Sequence, residues 1–197
     1  WFGRGPMPED NLKCIESWKK FLPDYKLMLW NEDNYDVNSI KFTRQAYQKK
    51  KYAFVIDPVR LQLLREHGGI WLDTDIEIIK NLDPLLELPA FMSFESDTLL
   101  HTGIVGSEKG AAWTDEYWKY MNPFIRWNGR LNKTPSTVII SRILKKRGVK
   151  LDNTFQIYDD SLHIFPKDYF CPKDYKTGKI TITDNTYCIH HFAGSWK

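Results

Sequence analysis

Two carboxylates one residue apart, Asp73 and Asp75, follow the apolar run Ile70-Trp71-Leu72, which itself follows Gly68-Gly69. On a β-strand, residues i and i+2 project to the same side. The two side chains are therefore expected to offer oxygen ligands side by side where a strand leaves the core. Paired hard anionic oxygens suit a hard divalent cation, Mn²⁺ or Mg²⁺. A cation held by only two protein groups keeps open positions for other oxygens, such as those of a diphosphate. Acidic strand ends with no chemistry share this spacing, so an isolated Asp-x-Asp decides little. Its surroundings carry the argument.

Upstream stand Asp57, Pro58 and Arg60. Asp before Pro is a helix-start signal, with Asp as N-cap and Pro at the first helical position. Residues i and i+3 share a helix face, so Arg60 adjoins Asp57. The functional reading has Asp57 accepting hydrogen bonds from sugar hydroxyls and Arg60 meeting hydroxyl or phosphate oxygen. The plainer reading is a capping Asp with a snorkelling or Asp57-paired Arg. Downstream, Tyr187-Cys188-Ile189 leads into His190-His191-Phe192-Ala193-Gly194-Ser195-Trp196. An imidazole could complete a Mn²⁺ site begun by two carboxylates. Alternation puts the two histidines on opposite faces, so only one readily reaches the metal, and the spacing leaves open which.

The elements that must position these residues follow from pattern. A helix is expected from Pro8 through Leu22, stopped by Pro23. Lys26–Trp30 reads as a strand and Asn31–Asn34 as a loop. A short helix runs from Thr43 to the lysine run at 49–51, and another from Pro58 to His67 closes at Gly68. Ile70–Leu72, Phe91–Glu95, Gly103–Gly106, Leu162–Phe165, Thr181–Thr183 and Tyr187–Phe192 read as strands. Trp113–Met121 and Thr137–Lys146 read as helices. Strands interleaved with helices indicate an α/β sandwich with a mostly parallel sheet, whose ligands bind beyond the carboxyl ends of the strands. Asp73 and Asp75 fall at such an end. Trp118, Tyr120, Phe124 and Trp127 form an aromatic cluster that reads either as an acceptor platform or as core.

Composition bounds the rest. The 197 residues suffice for one domain with a real core. A net charge of +3, dispersed along the chain, is too weak to argue for nucleic acid. Three widely spaced cysteines lack metal-ligand spacing and suggest a reducing compartment without a disulfide framework. No signal peptide is visible and no apolar run approaches a membrane span. A cytoplasmic location follows as an expectation, with peripheral association at a membrane as an option.

Taken in order, Trp1-Phe2-Gly3, Ala53-x-x-x-Asp57-x-x-Arg60, Gly68-Gly69-Ile70-Trp71-Leu72-Asp73-Thr74-Asp75 and His191-Phe192-Ala193-Gly194-Ser195-Trp196 resemble glycosyltransferase family 32. That family holds sugar transferases of the DXD type with a GT-A fold, among them capsular polysaccharide and yeast-type mannosyl transferases, and is related to large bacterial glucosylating toxins. The tail is also similar to the His-Phe-x-Gly segment of glycogenin-like enzymes. The resemblance implies one catalytic domain over residues 1–197, with a first strand expected upstream of Trp1. It implies retaining, metal-dependent transfer from a nucleotide diphosphate sugar, UDP-sugar favoured, to a hydroxyl of a glycan or lipid-linked saccharide. Carried over by residue, Trp1 would stack on the base, Asp57 and Arg60 would hold the donor sugar, and Asp73 would approach ribose or metal. Asp75 would ligate Mn²⁺ or Mg²⁺ with His191, while Thr74, Ser195 and Trp196 would lie against the donor. Relatives often carry Asn in the loop that here reads His101-Thr102.

Two other classes were weighed against it. Haloacid-dehalogenase-type phosphatases also end an apolar strand in Asp-x-Asp, but they want Thr or Val two residues after the second Asp, where this chain has Glu77. A carbohydrate-binding module would fit eight tryptophans, yet would need neither Asp57 with Arg60 nor a terminal metal-binding histidine.

Overall fold

The structure is a computed structural model that describes residues 1–125 and 133–194. Among these residues, five α-helices accompany a five-stranded sheet of order β1-β4-β3-β6-β5 and a two-stranded sheet of β2 and β7. The strands are β1 Gly69–Leu72, β2 Ile76–Ile78, β3 Ala90–Ser93, β4 Ile104–Ser107, β5 Gln156–Tyr158, β6 Leu162–Phe165 and β7 Cys188–His190. The helices are α1 Glu9–Phe21, α2 Lys41–Gln48, α3 Tyr52–His67, α4 Ala112–Ile125 and α5 Ser136–Lys146.

The α/β class with flanking helices is as expected, but the strand sense is not. Of the pairings in the larger sheet only β3 with β6 is parallel; β1–β4, β3–β4 and β5–β6 are antiparallel. Connection length explains the difference. A short link such as 94–103 between β3 and β4 can only reverse the chain, whereas a parallel pair needs a crossover. The β3-to-β6 connection supplies one, because it contains α4 and α5.

The central strand β3 is buried on both faces. Ala90 and Met92 face a core built with Val55, Val59, Leu64, Ile140 and Leu144 from α3 and α5. Phe91 points the other way, into a second cluster with Ile76, Ile78, Ile104 and Phe170. Alternation along a strand produces this division. Gly106 sits opposite Phe91 in the ladder, and a β-carbon there would lie 2.1 Å from the Phe91 ring, so the position has room only for hydrogen.

Three local expectations are corrected. Lys26–Trp30 forms no strand; among the described residues no ladder partner satisfies its backbone, and Leu27, Met28 and Leu29 stay exposed. The helix expected from Pro58 begins at Tyr52, so Asp57 is no N-cap and Pro58 lies inside α3. Burial of Phe54 and Val55 in the core carries the helix past a local start signal. Thr181–Thr183 is likewise no strand; only the bridge Lys173↔Ile180 pairs in that hairpin. Trp118 packs against the core, with the Arg65 guanidinium 5.4 Å above its ring. The side chains of Tyr120 and Phe124, and all of Trp127, lie outside the described residues. Among the described residues no helix is long and apolar enough to cross a membrane.

Candidate active site

The turn between β1 and β2 holds the acidic pair. The strand ends at Leu72, and the Ile76 N–H donates to the Asp73 carbonyl at 3.0 Å, closing a tight turn over Asp73-Thr74-Asp75. Side-by-side presentation by strand alternation is therefore corrected: in a turn the two carboxylates part and meet different partners. Helix α1 braces this turn. Asn11 Nδ2 donates to Thr74 Oγ1 at 2.8 Å, the Trp18 indole N–H donates to the Ile76 carbonyl at 2.6 Å, and Ser17 Oγ accepts from the Ile78 N–H at 2.8 Å.

Asp73 is clamped. Arg60 Nη2 donates to both of its oxygens, at 2.8 and 3.0 Å, and the Trp71 indole N–H donates to Oδ1 at 2.6 Å. Arg60 is 7% exposed, with its guanidinium 5.5 Å from the Trp71 ring centre. Its Nη1 lies 3.9 Å from Asp57, one helical turn away on α3. Burial raises the Asp57 carboxyl to about 6, against the pull of Arg60 and a hydrogen bond with Ser136. Ser136 in turn lies 3.0 Å from Thr102, hydroxyl to hydroxyl. Asp57, Arg60, Thr102, Trp113 and Tyr117 line one small cavity between α3, α4 and the sheet.

Asp75 is held by the C-terminal strand instead. The β2–β7 ladder sets His190 opposite Ile76, and the His191 N–H donates to the Asp75 carbonyl at 3.0 Å. His190 Nε2 lies 3.4 Å from Asp75 Oδ2, and the Ala193 N–H donates to the same oxygen at 2.9 Å. A left-handed conformation at Phe192, φ +57°, turns the chain so that this N–H reaches back. Burial alone would raise the Asp75 carboxyl; His190 and the Ala193 N–H overcome it and hold it at about 2. The His191 ring points elsewhere, its Nε2 lying 2.7 Å from Glu77 Oε2.

Asp57, Arg60, Asp73 and Asp75 thus gather around one turn, as their order in the chain suggested. The Trp1 indole N–H donates to the Gly5 carbonyl at 2.9 Å. Thr74 is engaged by Asn11. Ser195 and Trp196 lie outside the described residues. Sequence reasoning missed Trp71 as a partner of Asp73, although its place two residues before Asp73 was visible. It also missed Ser136, which is remote in sequence, and Glu95, whose carboxyl is raised by burial. Beside His190 stands His101, Nε2 to Nδ1 at 3.0 Å, which burial and the charges of His190 and Arg60 keep neutral.

Comparison with known proteins agrees with this arrangement. Residues 8–92 match a family model described as a glycosyltransferase sugar-binding region containing the DXD motif. The chain is 33% identical over 103 residues to a mannosyl phosphorylinositol ceramide synthase of Saccharomyces cerevisiae, covering 48% of this chain and 25% of that protein. It is 32% identical over 108 residues to an inositol phosphoceramide mannosyltransferase of Schizosaccharomyces pombe, covering 53% and 30%. A glycosyltransferase of Acanthamoeba polyphaga mimivirus is 31% identical over 144 residues, covering 68% and 57%. The aligned region thus spans a quarter to just over half of the length of these relatives. Among solved structures, the PaToxG glycosyltransferase superposes with a TM-score of 0.59 at 16% identity, covering 75% of this chain and 66% of that one, a likeness of fold. These matches, with Asp73-Thr74-Asp75 inside the matched region, support a DXD-type glycosyltransferase of the family 32 kind.

Proposed function

We propose that the protein transfers a hexose from a nucleotide diphosphate sugar to a hydroxyl of a glycan or lipid-linked saccharide, with Mn²⁺ or Mg²⁺ as cofactor. The observation that carries this reading is the division of labour at the β1–β2 turn. A buried Arg60 locks Asp73 beside Asp57, while Asp75, a carboxylate held at about 2, stands apart on partners from the tail. A UDP-sugar remains the favoured donor, and the names of the yeast relatives make mannose the first hexose to try. Their names also make phosphoinositol-bearing sphingolipids the first acceptors to test, at a membrane surface facing a reducing compartment.

The donor set fits a hard cation. Asp75 is ionised at any working pH, and Asp73 Oδ2 accepts one hydrogen bond from Arg60, leaving lone pairs on a carboxylate that offers about four. Asp73 and Asp75 would hold the ion, with His191 as third ligand once its ring leaves Glu77. When bound, the ion supplies Lewis-acid stabilisation of charge on the departing diphosphate. The chain's own groups do the rest. Asp57 and Arg60 accept from and donate to sugar hydroxyls, Trp1 stacks on the base, and Thr74, Ser195 and Trp196 border the donor. Retention would proceed by same-face substitution, with the leaving phosphate assisting deprotonation of the acceptor. The tail carrying His191 closes over bound donor as lids do.

The test is a screen of UDP- and GDP-hexoses for slow Mn²⁺-dependent hydrolysis. Nucleoside diphosphate release from one donor, lost in Asp57→Asn, is expected. Thermal stabilisation by free glycan alone would instead support a carbohydrate-binding module. Trapping by fluoroberyllate would support a phosphatase.

A further inference from the structure

His101 and Cys171, which the transfer reading leaves unused, converge with Nδ1 of His190, the ring nitrogen turned away from Asp75. The ligand atoms of His101, Cys171 and His190 all lie within 4.8 Å of one another. His101 Nε2 is 3.0 Å and Cys171 Sγ 4.0 Å from the same atom, His190 Nδ1. Zinc bonds imidazole nitrogen at roughly 2.0 Å and thiolate sulfur at roughly 2.3 Å. In a tetrahedral site those lengths separate the ligand atoms by about 3.3–3.5 Å, so closing the group around one ion takes side-chain shifts that bring the widest pair in by about an ångström.

The three ligands come from separate, well-anchored pieces of backbone. The His101 N–H donates to the Ser93 carbonyl at 2.7 Å, the Cys171 N–H to the Lys167 carbonyl at 2.7 Å, and His190 is tied into the β2–β7 ladder. His101 and Cys171 are 0% and 2% exposed. The Nδ1 of His101 is buried without a hydrogen-bond partner, so the only polar partnership of this ring faces the cluster. Such a half-satisfied imidazole is costly to bury unless its other nitrogen is well met. Gly103 keeps the space for it: a β-carbon there would lie 2.6 Å from His101 Nε2. The second nitrogen of His190 faces Asp75 Oδ2 at 3.4 Å, the carboxylate–histidine arrangement that orients most metal-bound imidazoles.

We propose that His101, Cys171 and His190 form a zinc site separate from the cation of the Asp-x-Asp turn, with His190 linking the two through Asp75. Two imidazoles and a thiolate are a borderline-soft donor set that takes Zn²⁺ in preference to Mn²⁺ or Mg²⁺. Binding displaces the Cys171 thiol proton to solvent, leaving a thiolate on the metal. The site is independent of which sugar, if any, the enzyme transfers.

Cobalt is the probe, because a thiolate ligand gives Co²⁺ a near-ultraviolet charge-transfer band that oxygen and imidazole ligands do not. Protein refolded with Co²⁺ is expected to show that band at one ion per chain, to lose it to one equivalent of Zn²⁺, and to keep it when Mn²⁺ is added. Cys171→Ser abolishes the band while Cys14→Ser and Cys188→Ser retain it. His101→Asn, close in polarity and smaller, weakens Zn²⁺ binding by more than about tenfold. Absence of the band in the wild-type protein, or its survival in Cys171→Ser, overturns the proposal in favour of a hydrogen-bonded histidine pair beside an inert thiol. Should Cys171→Ser fail to fold, the wild-type spectrum and the His101→Asn affinity decide.

Discussion

Asp73 and Asp75 are one residue apart and chemically identical, yet the fold treats them as opposites. Asp73 is fastened from within: a guanidinium from α3 and the indole of β1 donate three hydrogen bonds to it. Asp75 is fastened from the far end of the chain, by a backbone N–H and an imidazole contributed by the last strand and its tail. The first environment is the more heavily hydrogen-bonded, although Asp73 keeps 26% of its side chain exposed against 16% for Asp75. The second draws on residues more than a hundred positions away, held in place by the β2–β7 ladder. A buried charge pair gives position at the cost of adaptability, while a carboxylate met by a short tail stays ready to exchange partners. The contrast is one of partners: Asp73 takes its own from α3 and β1, Asp75 from the last strand and the tail.

The largest effect that would break this contrast comes from Arg60→Ala. It leaves Asp57 and Asp73 facing each other without their cation. Loss of about 3–5 kcal/mol of stability is expected, as for other broken buried pairs, measured by urea unfolding, with loss of donor binding. An unchanged unfolding midpoint would mean that Asp73 is not clamped. Asp75→Asn should show the reverse pattern. Mn²⁺-dependent turnover should fall on the order of a hundredfold, while the unfolding midpoint moves little. A large destabilisation there would place Asp75 in the same class as Asp73.

The smallest effect sharpens the role of Asp57. Its carboxyl is raised from 3.8 to about 6 by burial, so it is protonated below that pH in the fold. Its contribution to stability is therefore fully present below pH 3.8 and fades as pH rises through about 6. Donor binding should run the other way, because only the carboxylate accepts two hydroxyl hydrogen bonds. An acid limb in kcat/KM near pH 6, flattened in Asp57→Asn, is the expected profile. A limb that survives the substitution would assign the titration to another group.

Much of the fold was legible because its signals are local. Periodicity located α1, α5 and β6, and Gly68 marked the end of α3. The misreadings share one cause, which is that the deciding contacts lie far away in the chain. Asp57-Pro58 looks like a helix start until Phe54 and Val55 are seen in the core. Lys26–Trp30 has the residues of a strand but no ladder partner among the described residues. The sense of the sheet was misjudged because hairpins and crossovers differ in connection length more than in composition.

The order of Asp57, Arg60, Asp73, Asp75 and the tail histidines is written in the chain, and that order carries the family resemblance from which hard-cation and sugar binding are proposed. What the sequence could not decide is which partner each group takes. The sequence leaves Arg60 free to snorkel to solvent and either histidine free to approach Asp75. Only packing settles such choices, because a side chain's partner depends on which distant backbone lies within about 3 Å of it. The ladder between β2 and β7 turned His190 toward Asp75 and His101, and His191 toward Glu77. It also brought Cys171 into reach of two imidazoles, a grouping that no spacing along the chain announces.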